Sequence, residues 1–192
     1  MVSERRLLLG VLLIVALLLP VGAWAVDRVR QHQQPSDDTP AVLGADTATV
    51  QTYPPATAAP KLDLTTLDGR KLDLAAYRGR PVLLNFWATW CAPCVREFPL
   101  LRRTLEQRRS DGLVVLGVLV NDNPGSARRF VREHGGNWPV GIDQGARAAG
   151  AFKVVGLPES VFVRRDGTLA TRVLGELTQD RLDAQLAPIV TG

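Results

Sequence analysis

The sequence contains little of what a metal centre or a disulfide framework requires. Its 192 residues include two cysteines, two histidines and one methionine. A structural zinc site takes about four cysteine or histidine ligands, and small disulfide-stapled domains are dense in cysteine. The histidines, His32 and His134, are far from the cysteines along the chain. We therefore predict no metal site within the chain, and we predict no cofactor.

A large excess of one charge is also absent. The chain has 23 lysines and arginines against 19 acidic residues, which gives a formal net charge of +4. The two signs are interleaved, whereas surfaces that bind nucleic acid usually cluster basic residues. We therefore predict that nucleic acid is not a partner. No internal repeat is evident, and the length suits one globular domain with additional segments.

The two cysteines that are present stand close together. They form the sequence Trp90-Cys91-Ala92-Pro93-Cys94, directly after the apolar run 81–87. This order predicts a strand, a short turn and a helix that begins at the thiols. With Cys91 at the N-cap, the free amides of the first turn favour a thiolate on its exposed sulfur. We predict that Cys91 attacks and Cys94 resolves.

Three other uses of such a cysteine pair fit less well. A structural disulfide across two residues closes so small a loop that it contributes only about 2 kcal/mol before strain. A zinc site lacks its other ligands. Covalent haem attachment requires a histidine directly after the second cysteine, and that residue is Val95. The spacing therefore favours a catalytic redox pair.

The N-terminal residues predict export from the cytoplasm. Arg5 and Arg6 precede residues 7–26, which carry no charge. Twenty residues at 1.5 Å each span a bilayer core of about 30 Å. We predict a signal anchor over 1–26, with the rest of the chain on the extracytoplasmic, periplasmic side. Ala23-Trp24-Ala25 also resembles a signal peptidase site, so cleavage stays open.

A polar, proline-bearing segment comes next, from residue 27 to residue 60. We predict a linker with a reach of roughly 30 Å, which would hold the domain near the membrane. The stretch 48–53 could instead add a strand to the domain. The globular domain is predicted over 61–192.

Within this domain the sequence alternates between strand and helix patterns. The predicted strands are 62–64 and 71–74 around the turn Leu67-Asp68-Gly69, the apolar runs 81–87 and 113–120, and the pair 160–164 and 169–174. The predicted helices are 93–109, 125–134, 146–152 and 178–188. The order predicts an α/β fold with an N-terminal hairpin and a helix-strand segment near 123–142.

Two motifs carry a resemblance to a known family. They are Asn85-Phe-Trp-Ala-Thr-Trp-Cys-Ala-Pro-Cys-Val-Arg-Glu-Phe-Pro99 and Val155-Gly-Leu-Pro-Glu-Ser-Val-Phe-Val-Arg-Arg-Asp-Gly167. Together they resemble the membrane-tethered thioredoxin-like proteins of the TlpA/ResA/CcmG (DsbE) group, over residues 61 to 188. The resemblance implies a thioredoxin fold, in which helices flank a central mixed sheet, and a role in cytochrome c maturation.

Glu97 is a further candidate catalytic residue. It lies three positions after Cys94, so on a helix both are on one face. Thioredoxins proper carry a buried aspartate where this chain has Asn85, which does not titrate. ResA-like members carry a glutamate at the position of Glu97, which implies general acid-base work on the resolving thiol. The alternative is an exposed glutamate that pairs with Arg102 or Arg103.

The second motif supplies predicted substrate-binding residues. Leu157-Pro158 matches the cis-proline site of the superfamily, where a cis bond turns the preceding backbone toward the thiols. A substrate strand can pair with such a backbone. Glu159 comes next as in CcmG-like members, although an ordinary strand-edge charge is the alternative. Trp90 completes the predicted substrate-binding set, and Pro99 is expected to kink the helix.

The residues between the cysteines indicate the direction of electron flow. Ala92 and Pro93 bring no charge, whereas a histidine there would stabilise the thiolate and make a strong oxidant. The pair is therefore predicted to act as a reductant. Because thiols outside the cytoplasm are normally oxidised, such a reductant needs electrons from a membrane partner.

The resemblance implies which partners those are. It implies a membrane electron donor of the DsbD/CcdA kind and apocytochrome c, or other secreted thiol proteins, as substrate. Three alternatives stay open: a general disulfide oxidase or isomerase of secreted proteins, a thiol peroxidase on the same fold, and a tethered binding domain without catalysis. Peroxidases of this fold typically have threonine where this chain has Ala88.

Overall fold

The structure is a computed structural model that describes residues 41–42 and 48–191. The predicted anchor, 1–26, and most of the predicted linker lie outside these residues. No helix within the described ranges has the length and apolar character needed to cross a bilayer.

A mixed sheet of eight strands forms the centre of the fold. The strands of the described residues are β1 (Ala41–Val42), β2 (Thr49–Thr52), β3 (Asp63–Thr66), β4 (Lys71–Asp73), β5 (Val82–Trp87), β6 (Val114–Val120), β7 (Val140–Asp143), β8 (Gly156–Leu157), β9 (Glu159–Val163) and β10 (Leu169–Leu174). The sheet has the order β2-β10-β9-β5-β6-β7-β3-β4, and β1 pairs separately with β8.

The helices are α1 (Ala92–Gln107), α2 (Pro124–Glu133), α3 (Arg147–Ala151) and α4 (Gln179–Val190). A 3-10 turn over Leu74–Tyr77 comes after β4. All four predicted helices and the predicted strand pairs are confirmed, with ends that differ by one or two residues. The predicted α/β class and thioredoxin fold are confirmed as well, including the N-terminal hairpin of β3 and β4 and the inserted segment of α2 and β7.

The middle of the sheet consists of β5 and β6, which are parallel and buried along their whole length. Strands covered on both faces read as continuous apolar runs, which is why the sequence predicted them. On its other side β5 pairs antiparallel with β9, from Val82 opposite Val163 to Phe86 opposite Glu159. The carboxyl end of β5 thus meets the start of β9, and the active-site motif begins there.

The predicted linker extends into the sheet. Thr49–Thr52 pairs antiparallel with β10, so the strand alternative for 48–53 is the one observed. All four residues of β2 are exposed, and a strand with no apolar face gives no clear pattern to read. The sheet therefore begins before Lys61, ahead of the predicted domain boundary.

Aromatic packing fixes α1 against the sheet. The ring centroid of Phe98 on α1 lies 5.8 Å from Trp87, 4.9 Å from Phe130 and 4.6 Å from Trp138. Gly117 in β6 makes room for this cluster, because a Cβ there would lie 3.1 Å from Trp87 Nε1. The helix that carries both cysteines is thus held by side chains from β5 and from the inserted segment.

Candidate active site

The two cysteines are joined by a disulfide at the start of α1. Cys91 is the N-cap of the helix, and its Sγ accepts a hydrogen bond from the Cys94 N–H at 3.3 Å. Pro93 occupies the first turn, where a backbone N–H would have no acceptor within the helix, so the N–H that proline lacks costs no hydrogen bond. This is the predicted placement, and it gives a Cys91 thiolate one backbone donor from the helix end.

The exposure predicted for Cys91 is not found in this oxidised form. Cys91 is 0 % exposed and Cys94 is 2 % exposed. The bond to Cys94, which is itself buried in the first helical turn, directs the Cys91 sulfur inward. Trp90, next to the disulfide, is 43 % exposed. Of the predicted substrate-binding side chains, Trp90 is the one that solvent reaches.

Glu97 lies buried one turn beyond Cys94. It is 2 % exposed. Its Oε1 accepts a hydrogen bond from Asn85 Nδ2 at 2.7 Å, and its Oε2 accepts one from the Leu177 N–H at 2.9 Å. The alternative of an exposed glutamate that pairs with Arg102 or Arg103 is wrong, because Glu97 is buried and its two oxygens accept from Asn85 and Leu177.

The surroundings of Glu97 suit a group that exchanges protons with a thiol. Burial raises its pKa to about 8, although both hydrogen bonds act in the opposite direction. An acid-base catalyst works best with a pKa near the operating pH. Glu97 can therefore hold a proton at neutral pH, one helical turn beyond Cys94.

Asn85 has a role that sequence reasoning missed. Its inability to titrate was clear from its residue type. Only the structure shows that its amide donates both to Glu97 and to Ser160 Oγ, the latter at 3.2 Å. Asn85 thereby links the acid on α1 to β9, the strand that begins just after the cis-proline.

The predicted cis peptide bond is present between Leu157 and Pro158. The β5–β9 register places these two residues beside the carboxyl end of β5, where the chain turns toward Cys91. Leu157 and Glu159 are fully buried. Their side chains are therefore closed to a substrate. Their part in substrate binding stays a prediction and concerns their backbone atoms.

The backbone next to the cis-proline is already paired. Gly156 lies opposite Ala41 and Leu157 lies opposite Val42, in a parallel two-stranded sheet. Strand addition to such an edge is a general mode of peptide recognition. An extended substrate that paired with this edge would take the place of Ala41–Val42.

Glu159 forms a buried ion pair with Arg172 of β10. One carboxylate oxygen accepts from Arg172 Nη2, and the other accepts from the Val155 N–H at 3.3 Å. Arg172 also donates to the Lys153 carbonyl at 2.8 Å. Burial raises the pKa of Glu159 to about 7, against the lowering effect of Arg172. Glu159 is therefore not an ordinary strand-edge charge. Its ion pair with Arg172 links the segment before the cis-proline to β10.

Arg172 was not singled out from the sequence. The signal was available, since an arginine within the mostly apolar strand Leu169–Leu174 needs a buried acidic partner. Its partner is 13 residues away and could not be identified without the strand register.

Comparisons with known proteins agree with this geometry. Residues 55–172 match the AhpC/TSA family. The thiol-disulfide oxidoreductase ResA of Bacillus thuringiensis is 32 % identical over 131 residues, which cover 68 % of this chain and 76 % of that protein.

Solved structures give the same result for the fold. A secreted disulfide oxidoreductase of Mycobacterium tuberculosis, homologous to DsbE of E. coli, is similar with a TM-score of 0.60 and 28 % identity, over 66 % of this chain and 95 % of that one. A thiol:disulfide interchange protein of Chlorobium tepidum has a TM-score of 0.65 at 24 % identity, over 73 % and 99 %. The chain therefore belongs to the AhpC/TSA family, and its Cys91–Cys94 pair makes it a thiol-disulfide oxidoreductase with a thioredoxin fold.

Proposed function

We propose that this protein is an extracytoplasmic reductant of protein disulfides. The observation that carries the proposal is the uncharged Ala92-Pro93 pair between the cysteines. A Cys91 thiolate then has the helix N-terminus as its stabilising partner, without the nearby positive charge that makes a strong oxidant. The buried acid Glu97 supports exchange at this cysteine pair in either direction, because its ionised form can take the proton that Cys94 loses.

The reaction consists of two successive thiol-disulfide exchanges. The Cys91 thiolate attacks one sulfur of a substrate disulfide, forms a mixed disulfide and expels one substrate thiolate. Cys94 then gives its proton to the ionised form of Glu97, whose share grows as pH rises toward 8, and attacks Cys91 Sγ, which expels the second substrate thiolate. The substrate gains two electrons. The proton held by Glu97 and one proton from solvent convert its two thiolates to thiols, and the protein is left as the Cys91–Cys94 disulfide.

The resemblance and the relatives named ResA support a particular substrate and donor. We propose apocytochrome c, through its haem-site cysteines, as the substrate, and a membrane electron carrier of the DsbD/CcdA kind as the donor. A donor is required because each turnover leaves the protein oxidised. Residues 1–26 would keep the domain at the membrane where this donor lies.

The redox potential tests the direction of electron flow. We expect a midpoint nearer that of thioredoxin, about −270 mV, than that of DsbA, about −120 mV. The 150 mV between them corresponds to roughly 7 kcal/mol for a two-electron couple. The measurement equilibrates the full chain, in detergent, against glutathione or dithiothreitol buffers. A midpoint near −120 mV would replace the reductant with the oxidase alternative.

The location is tested separately by a fusion. A reporter that is active only outside the cytoplasm, joined after Gly192, is expected to be active, because the apolar run 7–26 directs the rest of the chain across the membrane. Retention in the membrane fraction after a high-salt wash would distinguish the anchor from a cleaved signal. Activity of a cytoplasm-specific reporter at the same position would contradict the proposed location.

A further inference from the structure

A carboxylate outside the motif is bonded to the turn that leads into the disulfide. Asp122 comes just after β6, and its Oδ2 accepts from the Thr89 N–H at 2.6 Å and from Thr89 Oγ1 at 2.7 Å. Thr89 is the second residue of a turn that closes with the Cys91 N–H donating to the Ala88 carbonyl at 3.3 Å. The turn that presents Cys91 is therefore held by a residue 33 positions beyond Thr89 in the chain.

The loop that carries Asp122 is itself held in place. The other carboxylate oxygen accepts from the Asn123 N–H at 2.6 Å, and the Asp122 carbonyl accepts from Gln144 Nε2 at 2.6 Å. Next to it, Asn121 Oδ1 accepts from the Gly145 N–H at 2.7 Å. These hydrogen bonds hold the Asp122 carboxylate in place independently of its bonds to Thr89.

We propose that Asp122 is a positioning residue for the thiol pair, which holds the Ala88–Cys91 turn and places a negative charge against Thr89, two residues before Cys91. A nearby negative charge disfavours a thiolate, whereas the helix N-terminus favours it. Asp122 would therefore keep Cys91 less acidic than its N-cap position alone would make it. This concerns the exchange reaction itself and does not depend on the proposed direction of electron flow.

Other charged groups also lie around the disulfide. They are Glu97 on α1, the Glu159–Arg172 pair where β9 meets β10, and the Arg96–Glu176 ion pair at the surface of α1. None of these contacts Asp122 through a hydrogen bond or ion pair among the described residues. A change at Asp122 can therefore be measured with the others left in place.

The test is the pH profile of Cys91 alkylation in the reduced full-length protein, kept in detergent. In Asp122→Asn the amide oxygen can still accept both Thr89 hydrogen bonds, so the turn keeps its acceptor while the charge is removed. The amide NH2 replaces the oxygen that accepts from the Asn123 N–H, so that bond within the loop is lost as well. The midpoint should move to lower pH and alkylation at pH 6 should become about threefold faster. The rate at the high-pH plateau should not change.

Asp111→Asn is the matched control. Asp111 is also partly buried and lies before the start of β6, at the opposite end from Asp122 of this strand of about 23 Å. Its profile should equal that of the wild type. An unmoved midpoint in Asp122→Asn, or an equal shift in Asp111→Asn, would overturn the electrostatic part of the proposal.

The holding of the turn is tested by Asp122→Ala, which removes both the charge and the acceptor. It should show the midpoint shift of Asp122→Asn together with a changed plateau rate, because the turn loses both bonds from Thr89. A plateau equal to that of Asp122→Asn would show that the turn needs no support from Asp122. Thr89→Val loses the hydroxyl donor to Asp122 and leaves the Asp122 charge in place, so the alkylation midpoint should be unchanged. A shifted midpoint in this variant would show that the Asp122 charge does not set the midpoint.

Discussion

A Cys94→Ser variant is expected to accumulate mixed disulfides with its substrates through Cys91. Cys91 occupies the N-cap and receives the Cys94 N–H, so its thiolate forms and attacks normally. Serine at position 94 has no thiolate with which to release the product. Mass spectrometry of proteins separated without reductant identifies the trapped partners, and apocytochrome c is the one we expect.

The reciprocal variant is the control. Cys91→Ser should trap nothing and should lose exchange altogether, because the remaining Cys94 lies inside the first turn and lacks the N-cap position that favours a thiolate. In the reduced wild-type protein, an alkylating reagent should label Cys91 much faster than Cys94. Equal labelling, or trapping through Cys94, would reverse the assigned roles.

Glu97→Gln is expected to slow release of the substrate from the mixed disulfide by about a hundredfold at neutral pH, the usual contribution of general acid-base catalysis. Glutamine keeps the size of the side chain and can accept from the Leu177 N–H, but it takes no proton from Cys94. The rate in the wild type should rise with pH up to about 8, the pKa to which burial raises Glu97. Rapid mixing of the mixed disulfide at several pH values measures this step.

The same substitution should change how stability depends on pH. Folded Glu97 titrates with a pKa of about 8, against 4.5 for an ordinary glutamate. Between these pH values the folded protein keeps a proton that the unfolded chain releases, so the free energy of unfolding falls as pH rises. The slope is about 1.4 kcal/mol per pH unit and ends above pH 8. Glu97→Gln should remove this slope, as denaturant titrations at pH 5, 6.5 and 8 would show.

Glu106→Gln is the matched control on the same helix, since Glu106 is exposed and pairs only with Arg102 among the described residues. It should change neither the release rate nor the pH dependence of stability. Glu159 also has a raised pKa and contributes to the pH dependence of stability. Its contribution is the same in the wild type, Glu97→Gln and Glu106→Gln, so it does not affect the differences between them. An identical release profile in Glu97→Gln and wild type would leave Glu97 with a structural role alone.

Local patterns account for the elements that could be predicted. The hairpin of β3 and β4 was predicted from a turn signal between two short strands, and β5 and β6 from continuous apolar runs. The position of Cys91 and Cys94 at a helix start depends on residues within a few positions of them. The cis bond before Pro158 was predicted from the resemblance, since X-Pro bonds are cis in only about one case in twenty.

The contacts that tune the site depend on residues distant in the chain. Glu97 is bonded to Asn85 and Leu177, Thr89 to Asp122, and Glu159 to Arg172. The sequence singled out Glu97 and Glu159 as candidates but did not identify the partners of these side chains, because the strand order is needed to find them. Burial then decides both the partner and the protonation of each, because a buried polar group must find a hydrogen bond.

The sequence by itself determined the chemistry: two cysteines at the start of a helix, after a buried strand, can cycle between dithiol and disulfide. Tertiary structure alone decided how that chemistry is controlled. It buried the disulfide, placed Glu97 in a site that raises its pKa to about 8, and brought Asp122 to the turn before Cys91. The physical reason is that a thiol's reactivity depends on charge and burial within a few ångströms, and the sheet assembles those surroundings from segments that are far apart in the chain.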